Sequence, residues 1–181
     1  MFRDVSIFRP GLFEGRTALV TGGGTGIGLA IAAELRGLGA DVFIASRSAD
    51  KIAAGRAALE AVPGSGRIET GCCNIRDAEA VSATVGQVIE RFGRIDLLVN
   101  NAGGQFPSPA VMIRKKGWDA VIETNLTGTF LMSQAVAQQW MMAHGGGAMV
   151  NIIAQMWNGF PMMAHTGAAR AAVDNLTKTL A

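Results

Sequence analysis

The chain contains no tyrosine, and aromatic residues make up only 6% of its 181 positions. No phenol is therefore available as an acid or a nucleophile. Charge of one sign is also scarce: 16 basic residues face 14 acidic ones, a formal net charge of +2. So small an excess does not suit nucleic acid, and none is expected as a partner. The only two cysteines, Cys72 and Cys73, are adjacent, a spacing that rarely closes a disulfide. They read as reduced, buried thiols in a strand-like run. No apolar run approaches membrane-spanning length, and charges interrupt the first residues, Met1 to Pro10, where a signal peptide needs an unbroken apolar segment. The expectation is a soluble intracellular protein, cytoplasmic, with no membrane partner and no metal.

What is present is small, apolar and regularly punctuated. Hydrophobic residues reach 49%, enough for one sizeable core, so residues 1–181 read as a single domain. Strand-like runs at Thr17–Val20, Val42–Ala45, Ile68–Cys73, Ile95–Val99 and Ala148–Ile153 alternate with stretches of helical period at Ile27–Leu38, Ala49–Ala61, Ala78–Phe92, Lys116–His144 and Pro161–Leu180. The fourth helix is expected to bend near Thr127-Gly128. Near-continuous apolarity in the strands is what a sheet covered on both faces requires, which predicts an α/β fold with a doubly wound parallel sheet of Rossmann type. The chain stops within helical pattern at Thr179-Leu180-Ala181, with no stop signal, so a C-terminal part of the domain is expected to be absent.

Two loops carry the chemistry. Thr21-Gly22-Gly23-Gly24-Thr25-Gly26-Ile27-Gly28 joins the first strand to the first helix. Glycines there allow a sharp turn and let backbone N–H groups approach a pyrophosphate at the positive end of that helix. The second loop, Asn100-Asn101-Ala102-Gly103-Gly104, follows the fourth strand, so both leave carboxyl ends of strands, where doubly wound sheets bind ligands. At the end of the second strand, Ala45-Ser46-Arg47-Ser48 offers hydroxyls and a guanidinium but no carboxylate. That favours the 2′-phosphate of NADP(H) over the free ribose of NAD(H).

In these motifs the chain resembles the short-chain dehydrogenase/reductase family, whose Thr-Gly-x-x-x-Gly-x-Gly matches Thr21 to Gly28 and whose Asn-Asn-Ala-Gly matches Asn100 to Gly103. The resemblance implies a sheet order 3-2-1-4-5 and cofactor contacts from Gly22, Thr25, Gly26, Ile27, Gly28, Ser46, Arg47, Asn74, Ile75, Asn101, Ala102 and Gly103. It also implies an active-site asparagine at Asn125 and oligomers, a dimer or tetramer, built through the two long helices. Where such proteins place serine, tyrosine and lysine, this chain has Ile153, Thr166 and Arg170. An aliphatic hydroxyl is far too weak an acid to replace the phenol. Arg170 stays cationic, able to hold the nicotinamide ribose and favour developing negative charge, but not to shuttle protons. Another frame puts Asp174 and Lys178 in the tyrosine and lysine places, although that pair reads more simply as an i,i+4 ion pair. His165 is of the type that titrates near neutrality, so it is a candidate proton donor. Its plainer reading is capping or packing at the helix start.

The segments around Asn100–Phe106, Glu123–Phe130 and Asn151–Arg170 resemble more narrowly the peroxisomal trans-2-enoyl-CoA reductase and 2,4-dienoyl-CoA reductase branch. This implies NADPH-dependent reduction of a carbon–carbon double bond conjugated to a CoA thioester. Asn125, Thr166 and Arg170 would then stabilise an enolate, and the apolar stretches Gln105–Pro109 and Met156–Met163 would lie along an acyl chain. The alternatives are a carbonyl reductase or alcohol dehydrogenase of the same family and a catalytically silent NADP(H)-binding sensor or scaffold.

Overall fold

The computed structural model describes residues 6–181. The signal-peptide reading of the first residues falls partly on 1–5, outside those described. Five parallel strands, β1 (Thr17–Thr21), β2 (Asp41–Ser46), β3 (Ile68–Cys72), β4 (Leu97–Asn100) and β5 (Ala148–Asn151), form one sheet in the order β3-β2-β1-β4-β5. This is the doubly wound arrangement that the strand–helix alternation predicts. Partners such as Val20 with Ile44 and Leu19 with Leu98 fix its register.

Successive side chains on a strand point to opposite faces, so each apolar strand feeds two cores. In β2, Val42 and Ile44 join Ala32, Leu35 and Leu59 beneath α1 (Gly26–Gly37) and α2 (Ala49–Glu60). Phe43 and Ala45 turn the other way, toward Val81, Val85, Met132 and Val136 of α3 (Ala78–Phe92) and α5 (Gly128–Val136). Each fully buried aliphatic side chain contributes about 1.5–3 kcal/mol. Helix α3 shows why its bounds are readable: the Asp77 carboxylate accepts the N–H of Glu79 and Ala80, and Gly93 closes the other end at φ +75°.

The expected helix at Lys116–His144 is an unbroken helical run over 115–141, but not a regular one. It is α4 (Lys115–Ile122), a π-helical turn at Glu123–Thr127, α5, and a second π-helical turn at Ala137–Met141. A series of side chains bonded one turn back surrounds the first of these π-helical turns. Thr124 donates to the Ala120 carbonyl at 2.7 Å, Asn125 to Val121 at 2.9 Å, Thr129 to Asn125 at 3.0 Å and Ser133 to Thr129 at 2.8 Å. Such back-bonding competes with the regular ladder. The last helix, α6, runs Ala164–Leu180 rather than from Pro161, because Met162 takes φ +63° and turns the chain before it. Cys73 is buried, but Cys72 is exposed at the end of edge strand β3, correcting the expectation of two buried thiols. Among the described residues, no helix is long and apolar enough to cross a membrane.

Candidate active site

Strand β1 delivers its chain into a turn that only small residues can make. Gly22 lies at φ +65°, and a Cβ on Gly28 would come within 2.4 Å of Asn101 Nδ2 and 2.5 Å of the Gly22 carbonyl. Helix α1 therefore starts hard against both loops. Its N-cap, Thr25, makes no side-chain capping bond, leaving the positive helix end open toward the cleft beside it.

Thr21 and Asn101 hold the two loops in register. The Thr21 hydroxyl accepts the N–H of Asn101 at 3.1 Å and of Ala102 at 3.0 Å, and donates to the Val99 carbonyl at 3.3 Å. The Asn101 amide returns to the carbonyls of Thr21 at 3.0 Å and Gly22 at 3.3 Å. Between the loops lies a cleft of about 350 Å³, lined by eleven of the expected cofactor residues: Gly22, Thr25, Gly26, Ile27, Ser46, Arg47, Asn74, Ile75, Asn101, Ala102 and Gly103. Gly28 lies beneath it as packing, and Arg170 abuts Gly103 without lining the cleft. Sequence reasoning missed Thr21, Lys51, Cys73 and Thr124. Lys51 had a signal, a cation in the first turn of a helix, against the dipole's preference. Burial pushes the Cys73 thiol pKa up, which suits a neutral wall.

Where chemistry is expected, the polar groups are buried, and two of them, His165 Nε2 and Arg170 Nη1, lack a partner among the described residues. Asn125 is 1% exposed; its amide donates to Gly104 at 2.6 Å and Val121 at 2.9 Å, while its oxygen accepts the Gly104 N–H at 3.3 Å. Asn125 thus fixes the Gly103–Gly104 backbone. Thr166 is fully buried, its hydroxyl 3.3 Å from His165 Nδ1. The Arg170 guanidinium presses on Gly103, where a Cβ would meet Nη2 at 2.3 Å, and its buried Nη1 has no protein partner. Desolvation lowers the Arg170 pKa, with no carboxylate to compensate.

His165 also has a buried, unpartnered atom, Nε2, while its Nδ1 accepts the Thr166 N–H at 2.8 Å. Asp174 and Lys178 face each other at 2.6 Å as an ion pair on α6, and Ile153 is half-buried two residues beyond β5. Asn100, unremarked as a side chain in the sequence, is 3% exposed and bonds Ser133 at 3.0 Å and Asn151 at 2.9 Å, tying β4 to α5 and β5.

Apolar surface adjoins this region. A hollow of about 450 Å³ is lined by Ala110, Ile113, Lys115, Trp118 and Ala164, with Phe106 and Met162 partly exposed nearby in sequence. A second hollow, of about 440 Å³, opens at the opposite ends of the strands beside Arg16, Arg94 and Asp96, away from both loops. Among the described residues, no group of three or more His, Cys, Asp or Glu could hold a metal ion.

A parallel sheet carrying a glycine turn, a clamped Asn-Ala-Gly loop and a cleft between them defines a dinucleotide-binding α/β protein. The chain belongs to the short chain dehydrogenase family, whose family model matches residues 16–181. It is 37% identical over 182 positions to the peroxisomal 2,4-dienoyl-CoA reductase of Danio rerio, covering all of this chain and 60% of that one. It thus spans less than two thirds of that relative's length. A solved citronellol catabolism dehydrogenase from Pseudomonas aeruginosa superposes with a TM-score of 0.90 at 45% identity, covering 96% of this chain and 70% of that chain. An actinorhodin polyketide ketoreductase solved with NADPH gives 0.87 at 33% identity, covering 91% and 63%.

Proposed function

We propose that this protein uses NADPH to reduce the conjugated carbon–carbon double bond of 2-enoyl-CoA thioesters. The observation that carries the reading is Arg170, a buried guanidinium without an acid partner, at a site from which phenol chemistry is absent. A buried unpaired charge is costly and calls for an anionic ligand. Ketone reduction needs an acid strong enough to protonate an alkoxide. Conjugate reduction gathers charge on the thioester oxygen instead, and preorganised donors suffice. The 2,4-dienoyl-CoA reductase relative is named for a substrate of that kind.

The residues present fit a dinucleotide: Gly28 lets α1 start hard against both loops, and the uncapped start of α1 and the orphaned Arg170 Nη1 each leave a donor that such a ligand can meet. When bound, the nicotinamide supplies hydride to the β-carbon of the substrate. Gly22 to Ile27 would hold the pyrophosphate, Asn74 and Ile75 the adenine, and Ser46, Arg47 and Lys51 a 2′-phosphate. Arg170 would favour negative charge beside Gly103, and Asn125 holds that backbone in place. Phe106 and the hollow at Trp118 offer an apolar surface for the acyl chain. Assembly into a dimer or tetramer belongs to the same reading, supported by exposed Phe130 on α5.

The test is to mix the protein with NADPH and crotonyl-CoA and follow the nicotinamide absorbance. Loss of the band with crotonyl-CoA, and not with simple ketones, is expected. NADPH binding without turnover of either substrate class would replace the enzyme with a nucleotide sensor, and turnover of ketones alone would make it a carbonyl reductase.

A further inference from the structure

His165 has a neighbour for one ring nitrogen and none for the other. Its Nδ1 accepts the main-chain N–H of Thr166 at 2.8 Å. An accepting Nδ1 carries a lone pair, so the ring's single proton sits on Nε2. That Nε2 is buried without a partner among the described residues, and the whole residue is 0% exposed. A buried N–H donor left unpaired is costly, and native proteins rarely leave one idle.

The loop after β4 packs on this ring. Gly103 lies on the Arg170 guanidinium, and three residues further along Phe106 meets the His165 ring edge-to-face, with centroids 4.5 Å apart. Phe106 is lodged against Gly117 of α4, where a Cβ would come within 2.8 Å of its ring, and the loop is tethered by the Ser108 N–H donating to the Met162 carbonyl at 2.8 Å. Phe106 itself is 39% exposed. Beneath one stretch of backbone therefore lie two unpartnered donors, Arg170 Nη1 and His165 Nε2, with no carboxylate bonded to either.

We propose that His165 is a catalytic hydrogen-bond donor whose Nε2–H receives the thioester oxygen of the substrate once Phe106 moves aside. The proposal rests on the enoyl-thioester reading above. It assigns His165 a role other than that of a proton donor: the neutral ring gives up no proton, since losing the one on Nε2 would leave an anion. As the β-carbon gains its hydride from NADPH, the electron pair of the double bond moves to the α-carbon and thioester oxygen. The Nε2–H and Arg170 steady that charge, and the proton that completes the α-carbon comes from water.

Two variants separate this role from helix capping. Gln at position 165 places an amide N–H near the site of Nε2, whereas Asn reproduces only the acceptor at Nδ1. His165→Gln should retain kcat with crotonyl-CoA and NADPH to within about tenfold, and His165→Asn should lose about 10²–10³-fold while binding NADPH as the parent does. Solvent deuterium should enter the α-carbon of the product in both. Nitrogen-resolved NMR of the parent's imidazole reads the tautomer directly and does not depend on turnover or on how the variants fold. It should show a protonated Nε2 and a bare Nδ1 at neutral pH, with the Nε2 resonance moving when crotonyl-CoA is added to the NADP⁺ complex. An Nδ1–H ring, an unmoved Nε2 resonance, or an Asn variant as active as the parent overturns the proposal. A parent that oxidises no NADPH with crotonyl-CoA instead overturns the reading on which it rests.

Discussion

The Thr21 hydroxyl accepts the Asn101 N–H at 3.1 Å while the Asn101 amide donates back to the Thr21 carbonyl at 3.0 Å, so one residue pair sets the spacing of both cofactor loops. Thr21 is 1% exposed and serves three main-chain groups, two as acceptor and one as donor. Thr21→Val keeps the shape and strands two N–H groups. The cost of leaving buried donors unsatisfied is about 1–3 kcal/mol each. Urea denaturation should show a loss of about 2–6 kcal/mol for the two groups together, accompanied by weaker NADPH binding. A variant with parental stability and affinity would show that the pair is ornamental.

The approach of α1 to the second loop makes Gly28 a sharper test. A methyl there would lie 2.4 Å from Asn101 Nδ2, so Gly28→Ala must push the loops apart. Overpacking of this kind costs about 1–3 kcal/mol. Each 1.4 kcal/mol is about tenfold in a dissociation constant, so NADPH titrated by fluorescence should bind roughly ten- to a hundredfold more weakly.

Cofactor preference is expected to reside in Arg47 and Lys51, both exposed along the cleft beside Ser46. Charge-assisted bonds to a phosphate are worth about 1.5–3 kcal/mol. The Arg47→Ala, Lys51→Ala double variant should therefore lose about ten- to a hundredfold in NADPH affinity and leave NADH unchanged. Equal losses for both nucleotides would place the two cations away from the 2′-phosphate.

Much of this was legible because backbone geometry dictated residue type. A turn that forbids a Cβ at Gly28 writes itself as glycine, and strands covered on both faces write themselves as Val42 to Ala45. The π-helical turn at Glu123–Thr127 was not legible, since Thr124, Asn125, Thr129 and Ser133 are ordinary helix residues until their side chains bond back one turn. Likewise, nothing in the spacing of Gly103, Phe106, His165 and Arg170 reveals that one loop roofs the other two side chains. That relation exists only after β4 and α6 have packed.

At the far end of the sheet, Asp96 predicts a pH dependence. Burial alone would raise its pKa. Bonds from Arg94 at 2.6 and 2.7 Å, from Arg16 at 2.8 Å and from the Thr17 N–H at 2.8 Å outweigh that and hold it low. A carboxylate whose folded pKa is depressed adds stability above its unfolded value, about 3.9, and loses it as pH falls through the folded one. Asp96→Asn should therefore cost about 1–3 kcal/mol at pH 7 by urea denaturation. The gap to the parent should narrow in acid below the ordinary aspartate range, and a gap independent of pH would sink the assignment.

Arg170 sets stability against function. Its pKa is lowered by desolvation, with no acid bonded to it. For a base, a depressed folded pKa means a cost that is fully present wherever both states are protonated. It fades only as pH rises through the folded value, so neutral pH carries all of it. Arg170→Met fills similar volume without the charge. It should raise the stability of the protein without ligand by about 1 kcal/mol or more, evenly between about pH 6 and 8, because it removes a buried unpaired cation. The same variant should lose crotonyl-CoA reduction by about 10²-fold or more if the guanidinium steadies developing charge. Destabilisation with retained turnover would mean the opposite: Arg170 would be a structural strut under Gly103, and the anionic ligand inferred from its isolation would not exist.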